Sequence, residues 1–144
     1  MAKLDAVEHL SHFEKGVQKW KRLEDTTIES CEAIAKATDN VLVKTIAGLI
    51  RSDSEKHKQV LGIITDTLNG IVSLTPEELG SVAALIEEHL KLEKNSITLA
   101  EQEYEESRHF VIRHLLSYLL MDEQKHYKLL SQLRDFQRQL YPYA

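Results

Sequence analysis

The chain carries little that would interrupt a helix. Two prolines and five glycines in 144 residues leave few breakers, so long uninterrupted helices are expected. A single cysteine, Cys31, excludes an internal disulfide framework and fits a reducing compartment. There is no basic excess. Lys and Arg number 18 against 23 Asp and Glu, a formal charge of −5, which argues against nucleic acid, a partner that usually needs a basic face. No apolar run approaches the roughly 20 residues of a membrane-spanning helix. The opening M-A-K-L-D-A-V-E-H-L lacks the apolar core of a signal peptide. Together these absences predict a cytoplasmic, all-α domain spanning 1–144, with neither nucleic acid nor membrane as partner.

What is present is helical periodicity, doubled. A first helix is predicted from about Asp5 to Ala37, followed by a turn at Thr38-Asp39-Asn40. A second ends near Asn69-Gly70. Thr75-Pro76-Glu77-Glu78 reads as a helix start, with Thr as cap, Pro in the first turn and acids next. A third helix then runs to about Glu106. A turn at Ser107-Arg108-His109 leads into a fourth, which reaches about Tyr141. The halves align 69 positions apart: Glu24 falls on Glu93, Ile28 on Ile97, and Asp53, Lys56 and His57 on Asp122, Lys125 and His126. Such a repeat implies two similar helical hairpins, about 5–68 and 75–141.

Alternating steps of three and four trace an apolar stripe along each helix. Each stripe breaks near its middle. The interruptions are Glu24; Ser54 with His57; Glu93; and Glu123 with His126. They lie at similar distances from the hairpin turns, so at about 1.5 Å per residue they can meet in one layer. Three carboxylates and two imidazoles inside a bundle carry a large desolvation cost unless something compensates them. A metal does so, and carboxylate with neutral imidazole suits iron, manganese or zinc. Glu and His three residues apart present both ligands on one helical face.

One Glu from each of two helices plus Glu-x-x-His from each of the other two is the ligand set of di-iron carboxylate bundles. On Glu24, Ser54-x-x-His57, Glu93 and Glu123-x-x-His126, the chain resembles the ferritin-like superfamily, nearest its small rubrerythrin-like members. The resemblance covers all four helices and implies a ferritin-like four-helix bundle. Its implied metal ligands are Glu24, His57, Glu93, Glu123 and His126, binding one or two ions, most simply iron. It also implies that Asp53 and Asp122 hydrogen-bond the histidines of the opposite motif, His126 and His57.

Ser54 departs from the pattern, since a hydroxyl cannot bridge two metals as a carboxylate does. Three readings stay open: one metal, or two held asymmetrically; Asp53 or His89 filling the gap; or a metal-free relic. His89, one turn before Glu93, occupies the place that Trp20 holds in the first half.

The Asp–His pairing requires the second and fourth helices to run antiparallel. Ferritin-like folds achieve this with a long crossover. If the second helix reaches Leu68, roughly 43 Å must be spanned by about seven residues, which extend to at most ~25 Å. Either that helix stops soon after Leu61, leaving Gly62 to Leu74 as an extended crossover, or the hairpins exchange between two chains. A homodimer is expected in both cases. The functional expectation is an iron-binding protein reacting with O₂ or H₂O₂ as a ferroxidase- or peroxidase-type oxidoreductase, or one that handles iron. The alternative is a helical oligomerisation or interaction module, metal-free or holding structural zinc or manganese.

Overall fold

The computed structural model describes the backbone of residues 2–140 and the side chains of 6–136 and 138. It contains four helices and, among the described residues, no strand: α1 (Ala2–Lys36), α2 (Val41–Leu68), α3 (Pro76–Glu106) and α4 (Phe110–Leu140). The all-α expectation holds at this level. Tyr141, the predicted end of the last helix, lies outside the described residues. No described helix is long and apolar enough to cross a membrane. The chain divides into two compact units, Met1–Ser73 and Leu74–Ala144. In the first, α1 packs on α2; in the second, α3 packs on α4.

The helix ends have local chemical causes. Asn40 has extended backbone and its side chain accepts the Val43 N–H at 3.1 Å, capping α2. Thr75 and Glu78 close a capping box at the head of α3, with Pro76 in the first turn, so two otherwise orphaned N–H groups are satisfied. At the other end of α3, Arg113 reaches across from α4. Its Nη1 donates to the carbonyls of Tyr104 (2.8 Å) and Ser107 (2.9 Å), and its guanidinium lies 4.0 Å from the centre of the Tyr104 ring. A cation at the carbonyl end also suits the helix dipole.

α2 does not stop early. It remains helical through Leu68, so the extended crossover considered for Gly62 to Leu74 is overturned. The β-branched residues there are accommodated in helical geometry: the Thr65 and Thr67 hydroxyls donate back to the carbonyls of Leu61 and Ile63. The helix ends at Asn69, and Gly70 follows at φ +73°, a left-handed conformation that glycine adopts without steric cost. Ile71 N–H then returns to the Asp66 carbonyl at 2.8 Å. Seven residues, Asn69 to Thr75, separate α2 from α3.

Within each hairpin the buried positions recur every seven residues. They are Val17, Glu24 and Cys31 on α1; Ala47, Ser54 and Leu61 on α2; and Leu79, Ile86 and Glu93 on α3, with Leu90 beside them. This is the seam of a two-helix coiled contact. In the second hairpin Leu79, Ile86 and Leu90 pack with Tyr127, Leu130 and Leu133, and each fully buried aliphatic contributes about 1.5–3 kcal/mol. The other half of each predicted stripe is exposed, including Phe13, Trp20 and Ile34 on α1, Val43 and Ile50 on α2, Val82 on α3, and Ile112 and Leu119 on α4.

Candidate metal centre

Each seam is polar at one height, and there the carboxylates are buried. Glu24 is 8 % exposed, Ser54 3 % and Glu93 7 %. The histidines of the same layers are more open, with His57, His89 and His126 side chains 57 %, 53 % and 42 % exposed. Carboxylate oxygens therefore sit between the helices, and the imidazoles flank them toward the open faces.

In the first hairpin the buried acid is well supplied with partners. Trp20 Nε1 donates to Glu24 Oε1 at 2.9 Å. His57 Nδ1 lies 3.1 Å from the same oxygen. Burial alone would push the Glu24 carboxyl up, but hydrogen bonds from Ser54, Trp20 and His57 outweigh it and hold the group below its ordinary value. Buried polar groups are tolerated when they are hydrogen-bonded in this way. Asp53, half-buried on the same helix, is not part of this network.

The second hairpin is built on the same plan with a different balance. Glu93 corresponds to Glu24, His126 to His57, His89 to Trp20 and Glu123 to Ser54. His89 Nε2 lies 2.9 Å from Glu93 Oε1, and His126 Nδ1 lies 3.5 Å from the same atom. Ligand atoms of Glu93, Glu123 and His126 all fall within 4.8 Å of one another. Hydrogen bonding between Glu93 and Glu123 drives their carboxyls apart: that contact and burial raise Glu123, while Glu93, bonded also by His89, is lowered. One proton held between the two acids is the expected state of such a close pair. Even so, Glu93 Oε2 is buried and makes no hydrogen bond of good geometry. Asp122 is taken by its own helix: Lys125 Nζ bonds it at 2.9 Å, and that contact, with Tyr118 also bonding it, lowers its carboxyl.

Of the residues singled out in the sequence, each hairpin thus brings its own members together: Glu24, Ser54 and His57 in one, and His89, Glu93, Glu123 and His126 in the other. Two interactions were not foreseen. The contacts of Trp20 with Glu24 and of His89 with Glu93 join residues four apart, one helical turn. The signal available was their equivalence in the repeat. Cys31 is buried in the seam as a small apolar residue. Tyr127 packs on the apolar cluster.

The second cluster fits a metal ion. It holds hard oxygen and imidazole ligands, a second carboxyl where the first hairpin has a hydroxyl, and a buried carboxylate oxygen that no N–H donor reaches. The first cluster has partners on Glu24 from three side chains and lacks that second carboxyl. Comparison with protein-family models, with curated proteins and with solved structures returns no match.

Proposed function

We propose that this protein binds a non-haem metal ion, most simply iron, at Glu93, Glu123 and His126. The observation that carries the reading is the convergence of ligand atoms of these three side chains across α3 and α4 within 4.8 Å, with one oxygen of the buried Glu93 carboxylate reached by no N–H donor. Glu93 would supply the fixed anionic ligand. Glu123 would give up its proton as the ion enters, and the neutral His126 imidazole would complete the set, as deprotonated ligands must. Iron held there would supply one-electron chemistry toward O₂ or H₂O₂, the basis for a ferroxidase- or peroxidase-type activity or for iron handling. Manganese and zinc suit the same donors.

The wider ferritin-like reading belongs to this proposal. The 69-residue repeat and the exposed halves of the apolar stripes support it. It is the larger alternative, in which Glu24 and His57 would also ligate and Asp53 and Asp122 would orient the opposite histidines; the site on α3 and α4 does not require it. The connector adds a constraint. Seven residues reach at most ~25 Å, whereas the 28 residues of α2 extend for about 42 Å. A crossover of helix length is therefore out of reach within one chain. A ferritin-like pairing would take its hairpins from two copies, a homodimer with exchanged hairpins.

The test is metal binding by protein purified without a histidine tag. Anaerobic titration with Fe(II), Mn(II) and Zn(II), followed by dialysis and elemental analysis, should leave bound metal and a raised melting temperature. The Glu93→Gln/Glu123→Gln double variant should retain neither. Equal metal content in the two proteins would overturn the proposal. Absence of binding by either would leave the reading as a metal-free helical module.

A further inference from the structure

His89 and Trp20 occupy one position of the repeat, and both reach the buried glutamate four residues later. Their ring nitrogens lie at the same distance, 2.9 Å, from Glu93 Oε1 and Glu24 Oε1 respectively. Chemically they differ. An indole N–H can only donate, whereas an imidazole can donate, accept or ligate. The substitution of His for Trp coincides with that of Glu123 for Ser54. Both changes fall in the hairpin whose glutamate keeps a buried oxygen that no N–H donor reaches. Both add a metal-ligating group where the sister hairpin has a hydrogen-bond donor.

The separations also fit an ion. Ligands at about 2.0–2.2 Å from a metal lie about 2.8–3.6 Å apart for bond angles between a right angle and the tetrahedral one. From Glu93 Oε1, His89 Nε2 stands at 2.9 Å and His126 Nδ1 at 3.5 Å. His89 stands outside the set of Glu93, Glu123 and His126 whose ligand atoms lie within 4.8 Å of one another, so its half-open ring must turn toward them to ligate.

We infer that His89 is a fourth ligand, so that α3 and α4 alone hold one metal ion through two imidazoles and two carboxylates: His89, Glu93, Glu123 and His126. The first hairpin is then its closed counterpart, with Trp20, Ser54 and His57 satisfying Glu24 by hydrogen bonds where the second hairpin leaves room for an ion. This inference rests on the metal-binding reading above.

The repeat supplies the test. His89→Trp installs the residue that the first hairpin carries and keeps an N–H donor for Glu93, but it cannot ligate. Zn(II) affinity is measured by competition with a chromophoric chelator, and the coordination by the visible absorption of the Co(II)-loaded protein. Circular dichroism of the metal-free variant monitors the fold. Wild type should bind one ion per chain. His89→Trp should bind Zn(II) at least about tenfold more weakly, a loss on the scale of removing even a group that only supports a ligand, and its Co(II) bands should shift. His89→Gln, smaller and also an N–H donor, should behave alike and serves if the Trp variant does not fold. Wild-type affinity and an unchanged Co(II) spectrum in a folded variant would overturn the role of His89 while leaving the three-ligand site intact. Failure of wild type to bind either ion would overturn both.

Discussion

Replacing Glu123 by Gln should make the metal-free protein more stable and poorer at binding metal. Ligand atoms of Glu93 and Glu123 lie within 4.8 Å. Two full charges at that distance repel by roughly 3.5 kcal/mol at an effective dielectric of about 20. Burial and the contact with Glu93 raise the Glu123 carboxyl, the direction this repulsion requires. The strain of the empty pair is then at most ~3 kcal/mol, less whatever His126, partial solvation and a shared proton recover. Gln is close in shape to Glu and its amide can donate to Glu93, so Glu123→Gln should stabilise the metal-free protein by about 1–2 kcal/mol. For a chain of this size that is a rise in Tm of roughly 2–8 °C.

The pH dependence has a definite sign. The folded-state value of Glu123 is raised, so the fold favours the protonated acid. That contribution is complete below pH 4.5 and is lost as pH rises through the folded value. The advantage of Gln should thus be absent in acid and open toward neutral pH. Calorimetry of metal-free wild type and variant from pH 4 to 8, with Zn(II) titration of each at pH 7, measures both effects. A variant that is destabilised at pH 7, or that binds metal as wild type does, would refute the reasoning.

Other changes should follow from the same contacts. Ser54→Glu rebuilds in the first hairpin the acid pair of the second; the metal-free protein should lose about 1–3 kcal/mol from overpacking and an uncompensated buried charge. Metal content should rise from one ion per chain toward two, more completely when Trp20→His is added; elemental analysis reads the count, and no rise would contradict the correspondence. Ser54→Ala removes a hydrogen bond that keeps Glu24 low, at about 1–3 kcal/mol for a bond to a charged acceptor. Because a lowered carboxylate contributes stability above pH 4.5 that is lost as pH falls through its folded value, the acid-unfolding midpoint of this variant should move upward. Arg113→Ala strips the donor from two carbonyls at the end of α3 and should cost about 2–3 kcal/mol in urea unfolding; a loss under 0.5 kcal/mol would show the cap to be solvated without penalty.

Much of this arrangement was legible before the fold. The turn at Thr38 to Asn40 and the Thr75 cap carry their signals in side chains that bond nearby backbone, so they are local and readable; the turn at Ser107 to His109 is instead tied by Arg113 of α4. The polar breaks at Glu24, Ser54 and Glu93 were readable because they interrupt a stripe, and they are buried. Less legible was which half of each stripe the hairpin covers. A step of three or four residues marks a broad face, whereas two helices in contact bury a narrower strip, so Val17 is inside and Trp20, 56 % exposed, is not. The run after Leu61 was ambiguous because β-branched residues suit extended chain and are tolerated in helices; hydrogen bonding through Asn69 decides for helix. By its place in the repeat Ser54 is a missing ligand. In the fold it is also one of three partners that keep Glu24 ionised, which spacing alone does not reveal.

Anomalous scattering at the iron edge, from crystals of tag-free protein loaded anaerobically with Fe(II), bears on the central claim without intermediary. A single peak per chain is predicted between α3 and α4, within bonding distance of Glu93, Glu123, His126 and His89, with none at Glu24 and His57. Crystals whose iron sits elsewhere on the chain, or that hold none after loading, would contradict it.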